Sequence, residues 1–313
     1  MSVLADVNAD VLQDPVDTAT VSEHRVRLEE DVLVLAGDRG SERIDLEDVV
    51  DVRLGRPPLA VNSILESTTL TIAVSDGSSE GTEADEPTSP TEEQEVFFVG
   101  GKDEEVRTLG RLIYRAILNG TEVAVRHPAK IGGRSTETSF RLGELSLRDG
   151  TVDVSGIDPT FSVPIDAIVD FTTDTRELLS DERQVIAVEY VRNGRPIRFE
   201  VAIDPPRKRF ILGRYLRLEY RSHRRQLSEV DLKSAERRAL LRLYSMGGTA
   251  TLQALLDGDS ISSISVLRRL QRRGFVGGTE GSVRLTPEGW ILAAKHLTGD
   301  SNGTEHSFFS VTP

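Results

Sequence analysis

The stretch Ile261–Gly289, ISSISVLRRLQRRGFVGGTEGSVRLTPEG, reads as a helix, a glycine turn and a small hairpin. At 100° per residue Ile264, Leu267 and Leu270 share one helical face, and Ser262, Ser265, Arg268, Arg269 and Arg272 share the other. Gly274 stops the helix, and Gly277, Gly278 and Gly281 punctuate two short strand runs. Upstream, SEVDLKSAERRALLRLYSMGG supplies a helix pattern that opens on Ser228 and Asp231 as a capping pair, and TLQALLDG supplies a short second helix. Residues 228–297 are therefore expected to form a winged helix-turn-helix. Its outward arginines could meet phosphates and base edges, or acidic groups on a protein.

The preceding 220 residues follow a different rhythm. HRVRLEEDVLVLAG, ERIDLEDVVDVRLG, TTLTIAVSDG and EVFFVGG are short β-branched runs that end at glycine or Asp-Gly. DEEVRTLGRLIYRAILNG then places Val106, Leu109, Ile113, Ala116 and Ile117 on one helical face, and Gly120 ends it. The same order returns. FSVPIDAIVDFTTD echoes ERIDLEDVVDVRLG, with Asp166–Asp170 against Glu47–Asp51. RQVIAVEYVRNGRPIRFEVAID is a hairpin with Asn193-Gly194 at its turn. PPRKRFILGRYLRLEYRSHRRQL closes the second half as a helix. The expected fold is α+β, with two tandem pleckstrin-homology-like antiparallel barrels or sheets at 20–121 and 135–227, each closed by a helix, and the winged helix after them. The acidic loop 78–95 and the tail 298–313, with Phe308 and Phe309, are expected to be disordered.

Composition narrows the function. The chain has 313 residues, a net charge of −13 and no cysteine, which excludes disulfides, thiolate metal sites and cysteine nucleophiles. Only five of its 38 cationic residues are lysine. An acidic, arginine-rich, lysine-poor chain fits a salt-loving archaeon, where molar salt cuts the Debye length to about 3 Å and surface repulsion is tolerated. The charge is uneven: residues 221–300 carry 13 cations and 8 anions, whereas residues 1–220 carry 25 and 42. The N-terminus lacks the basic and apolar regions of a signal peptide, and no apolar run is long enough to span a membrane. The five histidines show no metal-ligand spacing, and no phosphate loop or nucleophile elbow occurs. No enzyme, metal or cofactor is expected.

Two sets of residues remain as candidate binding positions. Arg268, Arg269 and Arg272 lie on the C-terminal helix. Arg214, Arg217, Arg221 and Arg224, with Arg207 and Arg225, form a stripe along the preceding helix, beside an apolar face of Ile211, Tyr215 and Leu218 that is expected to pack on the second barrel. The stripe reads either as internally paired at a domain joint or as a landing surface for an acidic protein.

Strand-rich halves closed by helices, with DPPRKRFILGRYLRLEYR leading into a C-terminal winged helix, resemble the archaeal taxis protein family CheF. The resemblance covers roughly residues 20–297. It implies a cytoplasmic adaptor at the base of the archaellum. Such an adaptor binds the response regulator CheY, preferring its phosphorylated form, and the archaellum motor-switch subunits, with other Che proteins as further partners. It performs no chemistry and does not insert into membrane. The runner-up is a winged-helix DNA-binding transcription regulator, disfavoured by the acidity of the whole chain and by the steep loss of phosphate contacts in high salt.

Overall fold

A computed structural model describes residues 2–13, 21–38, 40–62, 65, 68–75, 94–178, 181–255, 260–279 and 281–297. The architecture is α+β, built mainly from antiparallel sheets. It divides into two compact units. One takes the described residues of Met1–Thr121 together with Asp204–Leu218, and the other takes Glu122–Ile203 and those from Glu219 onward.

The first unit contains strands β1 (Val3–Gln13), β2 (Ser22–Glu29), β3 (Val32–Gly37), β4 (Gly40–Asp45) and β5 (Val49–Gly55). A helical turn α1 (Leu59–Asn62) follows, then β6 (Thr69–Ser75), β7 (Gln94–Gly100) and helix α2 (Asp103–Leu118). The sheet order is β4-β3-β2-β1-β7-β6-β5. Alternation buries Val26, Leu28, Leu33, Leu35, Val52, Leu70, Ile72 and Val99. The α2 stripe of Val106, Leu109, Ile113 and Ile117 is also buried. The Tyr114 hydroxyl of α2 donates to the Val52 carbonyl of β5 at 2.6 Å.

The second unit repeats this plan. It contains β8 (Thr121–Ile131), a two-residue β9 (Arg134–Ser135), β10 (Arg141–Arg148), β11 (Thr151–Ser155) and β12 (Phe161–Pro164). A 3-10 turn at Ile165–Ala167 leads to β13 (Ile168–Leu178), β14 (Asp181–Arg192) and β15 (Arg195–Ile203); helix α3 (Pro206–Ser228) follows, and only its part from Glu219 onward belongs to this unit. The order β12-β11-β10-β8-β15-β14-β13 is the first sheet's order with each strand replaced by its counterpart. The equivalence extends to irregularities. The β5–β6 register skips from Val49 to Asp51, and the β13–β14 register skips from Ile168 to Asp170. The skipped residues, Val50 and Val169, are partners in the sequence echo. Tyr220 of α3 donates to the Val169 carbonyl at 2.7 Å, as Tyr114 does to Val52.

Among the described residues neither sheet closes into a barrel: the edge strands β4 and β5, like β12 and β13, are not paired to each other. Two strands lie upstream of the expected starts at residues 20 and 135. The acidic β1 pairs with β2 and β7, and β8 pairs with β15. Their charged outward residues mask the inward alternation. The expected packing partner of α3 also differs. Ile211 and Tyr215 are buried, but Tyr215 packs on Tyr114 of α2 at 5.6 Å, within the first unit. The unit boundary falls inside α3, between Leu218 and Glu219. Gln94 and Glu95, expected in the acidic loop, open β7. The rest of that loop, residues 78–93, and the tail 298–313 with Phe308 and Phe309 lie outside the described residues.

The C-terminal module contains α4 (Ser234–Ser245), β16 (Thr249–Thr251), α5 (Leu252–Leu255), α6 (Ser260–Arg272), β17 (Val276–Thr279), β18 (Ser282–Leu285) and α7 (Pro287–Leu297). Its three strands pair in the order β16-β18-β17. Its core of Leu240, Leu243, Leu270, Leu285, Trp290 and Leu292 is continuous with Val191 of β14, and Val169 and Tyr220 pack against it. Trp290 stacks edge-on against Tyr244 at 4.5 Å, and its indole N–H donates to the Gly194 carbonyl at 3.3 Å. Asn193 and Gly194 both have positive φ, 54° and 76°, as the tight hairpin turn requires. A Cβ on Gly194 would lie 2.6 Å from that of Arg284. The module is thus packed directly onto the β14–β15 turn.

Candidate functional site

Helix α4 starts at Ser234, not at the Ser228–Asp231 pair, because α3 runs on to Ser228. Lys233 is the extended residue before the helix, and its backbone N–H donates to Glu236 Oε2 at 3.0 Å. Glu236 thus supplies the acidic half of a capping box. Its side chain is 3% exposed and also meets two arginines of α6. Arg269 Nε donates to Oε1 at 3.2 Å, and Arg273 Nη1 donates to Oε2 at 3.1 Å. Arg273 also donates to the Asp231 carbonyl at 2.9 Å and lies over the Phe275 ring at 5.0 Å. Burial disfavours the Glu236 charge, but the Lys233 amide and the two guanidinium groups outweigh it and hold the carboxyl below its ordinary value.

This clamp sorts the α6 arginines. Val266, Leu267 and Leu270 are buried in the module core, and Ile264 is half-buried. Arg269 and Arg273, one turn apart, turn toward Glu236. Arg269 therefore leaves the open face on which its sequence position put it, because a buried carboxylate on the facing helix captures it. Arg268 and Arg272 form the next ridge and are exposed, as are Ser265 and Gln271. Among the described residues neither arginine makes an ion pair or hydrogen bond through its side chain. Arg237 and Arg238 of α4 are exposed in the same condition.

The α3 stripe is differently engaged. Arg214 Nε lies 3.4 Å from Asp51 Oδ1, within the first unit. Arg224 sits over the Tyr220 ring at 5.5 Å. Arg217, Arg221 and Arg225 also have interaction partners.

Two further clusters escaped the sequence reading because their members are far apart in the chain. On the second sheet, Glu200 is 1% exposed and accepts Arg176 through Nε at 3.1 Å and Nη2 at 2.8 Å. Arg198 Nε lies 3.6 Å away, Arg126 Nη1 lies 3.7 Å away, and Asp174 bridges Arg176 and Arg198. These charges compensate one another across β8, β13 and β15. His127 stacks on Phe161 at 3.9 Å and shares a 2.9 Å hydrogen bond with the Tyr190 hydroxyl. Burial, assisted by the Arg192 charge, depresses its pKa to about 4, so the ring is neutral at pH 7. Among the described residues no group of three or more His, Asp or Glu is placed to hold a metal ion. No helix among them is long and apolar enough to cross a membrane.

Comparison with known proteins identifies the scaffold that carries this face. Residues 3–222 match the family described as archaeal chemotaxis signal transduction system protein F. That span contains both sheets and most of α3 and stops before the C-terminal module. Taxis protein CheF2 of Halobacterium salinarum is 29% identical over 296 residues, 95% of this chain and 97% of that protein, an alignment long enough to take in most of the module. Taxis protein CheF1 of the same organism is 25% identical over 160 residues, 50% of this chain and 54% of its own. By a match that spans both repeated sheets, the chain belongs to the archaeal chemotaxis protein F family, CheF.

Proposed function

We propose that this protein is a non-enzymatic taxis adaptor. It captures the phosphorylated response regulator CheY and presents it to the archaellum switch subunits, at the cytoplasmic base of the motor. The observation that carries this reading is the family match over residues 3–222, extended by the CheF2 alignment over 95% of the chain. The two sheet-plus-helix repeats are read as pleckstrin-homology-like platforms, a type of scaffold that presents sheet edges and helix grooves to proteins. The C-terminal module, with a hairpin behind α6, is read as a winged helix used for protein docking. Signalling then rests on affinity: the adaptor prefers the phosphorylated regulator, and the motor responds only to that difference.

The exposed arginines of α6 also support the DNA-binding alternative. The net charge of −13 opposes it, because the chain as a whole repels a polyanion. A pull-down at high potassium chloride, with and without phosphoryl donor and with parallel nuclease treatment, separates the two. Donor-dependent recovery of the regulator with motility proteins, insensitive to nuclease, is the expected result. Equal recovery with and without donor, or recovery dominated by nuclease-sensitive DNA, refutes the adaptor.

A further inference from the structure

We infer that the cleft between the free edge of β1 and the first turn of α2 binds an extended peptide with apolar residues at every second position and basic residues at its ends. The inference goes beyond the adaptor reading and does not depend on it. It begins with an overhang. Strand β1 pairs with β2 from Val3 to Val11 but with β7 only from Asp10 to Gln13. Strand β7 ends at Gly100, opposite Asp10, and the chain then passes through Lys102 into α2. The seven residues Val3–Ala9 thus have a strand on one side only, and among the described residues no other backbone pairs with them. The second sheet differs at this point. Strand β15 ends at Ile203, opposite Val123, so only Thr121 and Glu122 of β8 run past it.

Beside the overhang lies a cleft of about 500 Å³, floored by Ala5, Val7 and Leu109 and rimmed by residues 102–105 of the α2 start. At about 3.3 Å per residue, Val3–Val7 offers about 13 Å of edge, room for four or five residues of an added strand. Every second residue of such an edge turns its N–H and C=O outward, where an incoming strand can bind them. The segment VLADVNA holds no proline or lysine to guard the edge. Its one charge, Asp6, is tied by two hydrogen bonds to Arg25 of β2, on the side already paired. Val3, Ala5 and Val7 share one face by alternation, and Val3 is 49% exposed. An added strand sets its own alternate side chains opposite these three, so apolar residues two apart fit the floor.

Charge decides what flanks them. Residues 102–105 carry three carboxylates and one cation, and Lys102 is held by Glu105 at 2.9 Å. Asp103 accepts the Thr68 amide at 3.0 Å. Glu104 is exposed, and among the described residues its carboxylate makes no ion pair or hydrogen bond. A lysine or arginine beyond the apolar stretch meets this rim favourably. A second copy of β1 fits worse, because it would bring another acidic α2 start to the same place.

The test titrates fluorescein-labelled KKVTVTVKK into the full chain in molar potassium chloride and reads anisotropy. Two further peptides vary the ligand: EEVTVTVEE reverses its ends, and KKVTPTVKK removes a backbone donor. Three variants vary the protein: Ala5→Phe fills the floor, Glu104→Lys reverses the rim, and Glu122→Lys makes the same charge change at an exposed residue of the second unit. Circular dichroism checks that each is folded. Saturable binding of KKVTVTVKK is expected, at least fivefold weaker for either other peptide. Ala5→Phe should weaken it at least tenfold and Glu104→Lys about threefold, as one exposed ion pair allows. Glu122→Lys should leave it unchanged. No binding, or binding that Ala5→Phe leaves intact, overturns the cleft assignment. Equal binding of EEVTVTVEE overturns the basic ligand. Sedimentation of the chain alone supplies the last arm: a dimer that Ala5→Phe abolishes makes a second copy the occupant and overturns the peptide.

Discussion

Replacing Glu236 with alanine should destabilise the C-terminal module by about 3 kcal/mol. Three contributions lead to that figure. The Lys233 amide loses its cap, worth about 1 kcal/mol. Arg269 and Arg273 lose the carboxylate they share; breaking a fully buried pair costs about 3–5 kcal/mol. Their side chains are 37% and 36% exposed, so both can turn to water and the cost falls to about 1–2 kcal/mol. Removing the buried methylene contributes somewhat under 1 kcal/mol more. Trp290 is 7% exposed in the same core, so urea unfolding followed by its fluorescence reads this module. With a slope of about 2 kcal/mol per molar urea, the midpoint should fall by about 1.5 M. Glu236→Gln should cost about half as much, since the amide oxygen can still cap. The pH dependence has a definite sign. The Glu236 pKa is lowered in the folded state, so below its ordinary value of 4.5 the unfolded chain binds more protons. The ion-pair contribution is complete above that value and is lost as pH falls through the folded pKa, and Glu236→Gln removes the dependence. A midpoint within 0.3 M of wild type, about 0.6 kcal/mol, would refute the clamp as a stabilising element.

Three further outcomes follow from other contacts. His127 titrates near 4 when folded against 6.5 when unfolded, so stability should fall as pH drops from 6.5 to about 4. The limiting loss is about 3 kcal/mol, reduced to about 1–2 kcal/mol by the ring's partial exposure, and His127→Phe should flatten the slope in pH-dependent denaturation. Gly194→Ala forces a side chain into positive φ and against Arg284, and should lower the Trp290 unfolding midpoint by the equivalent of about 2–4 kcal/mol. Tyr114→Phe and Tyr220→Phe each leave a strand carbonyl without its donor and should cost about 1–2 kcal/mol; lying in different units, they should add in the double mutant on thermal unfolding.

The repeat was readable from sequence because a β-bulge leaves a local trace: Val-Val-Asp and Ile-Val-Asp mark the same register skip in β5 and β13. Strand β1 was not readable. VLADVNADVLQ alternates, but its outward positions are acidic and its amphipathy is weak beside its net charge. The course of α3 was only half readable. Its apolar face is periodic, but periodicity says which residues are buried and not what covers them, and Tyr215 meets Tyr114 from 101 positions earlier. The candidate site shows the same division. The outward arginines of α6 follow from 100° spacing. The difference between Arg269 and its neighbours comes from Glu236 on another helix, 33 positions away. The clusters around Glu200 and His127 are assembled across strands, and nothing local announces them.

The seating of Trp290 on the Gly194 turn has a practical consequence for dissecting the protein. A chain cut after α3 would leave Val191 uncovered, with Val169 and Tyr220 beside it, and would strip the Gly194 carbonyl of its indole donor. The severed piece would carry a matching apolar wound around Trp290 and Tyr244. Fragments made at that point would be prone to aggregate, so a loss of partner binding in them would report misfolding rather than a missing surface. Single side chains on α6 are the finer instrument. For the same reason a load applied to α7 passes directly into the β14–β15 hairpin, through Trp290 on the Gly194 turn.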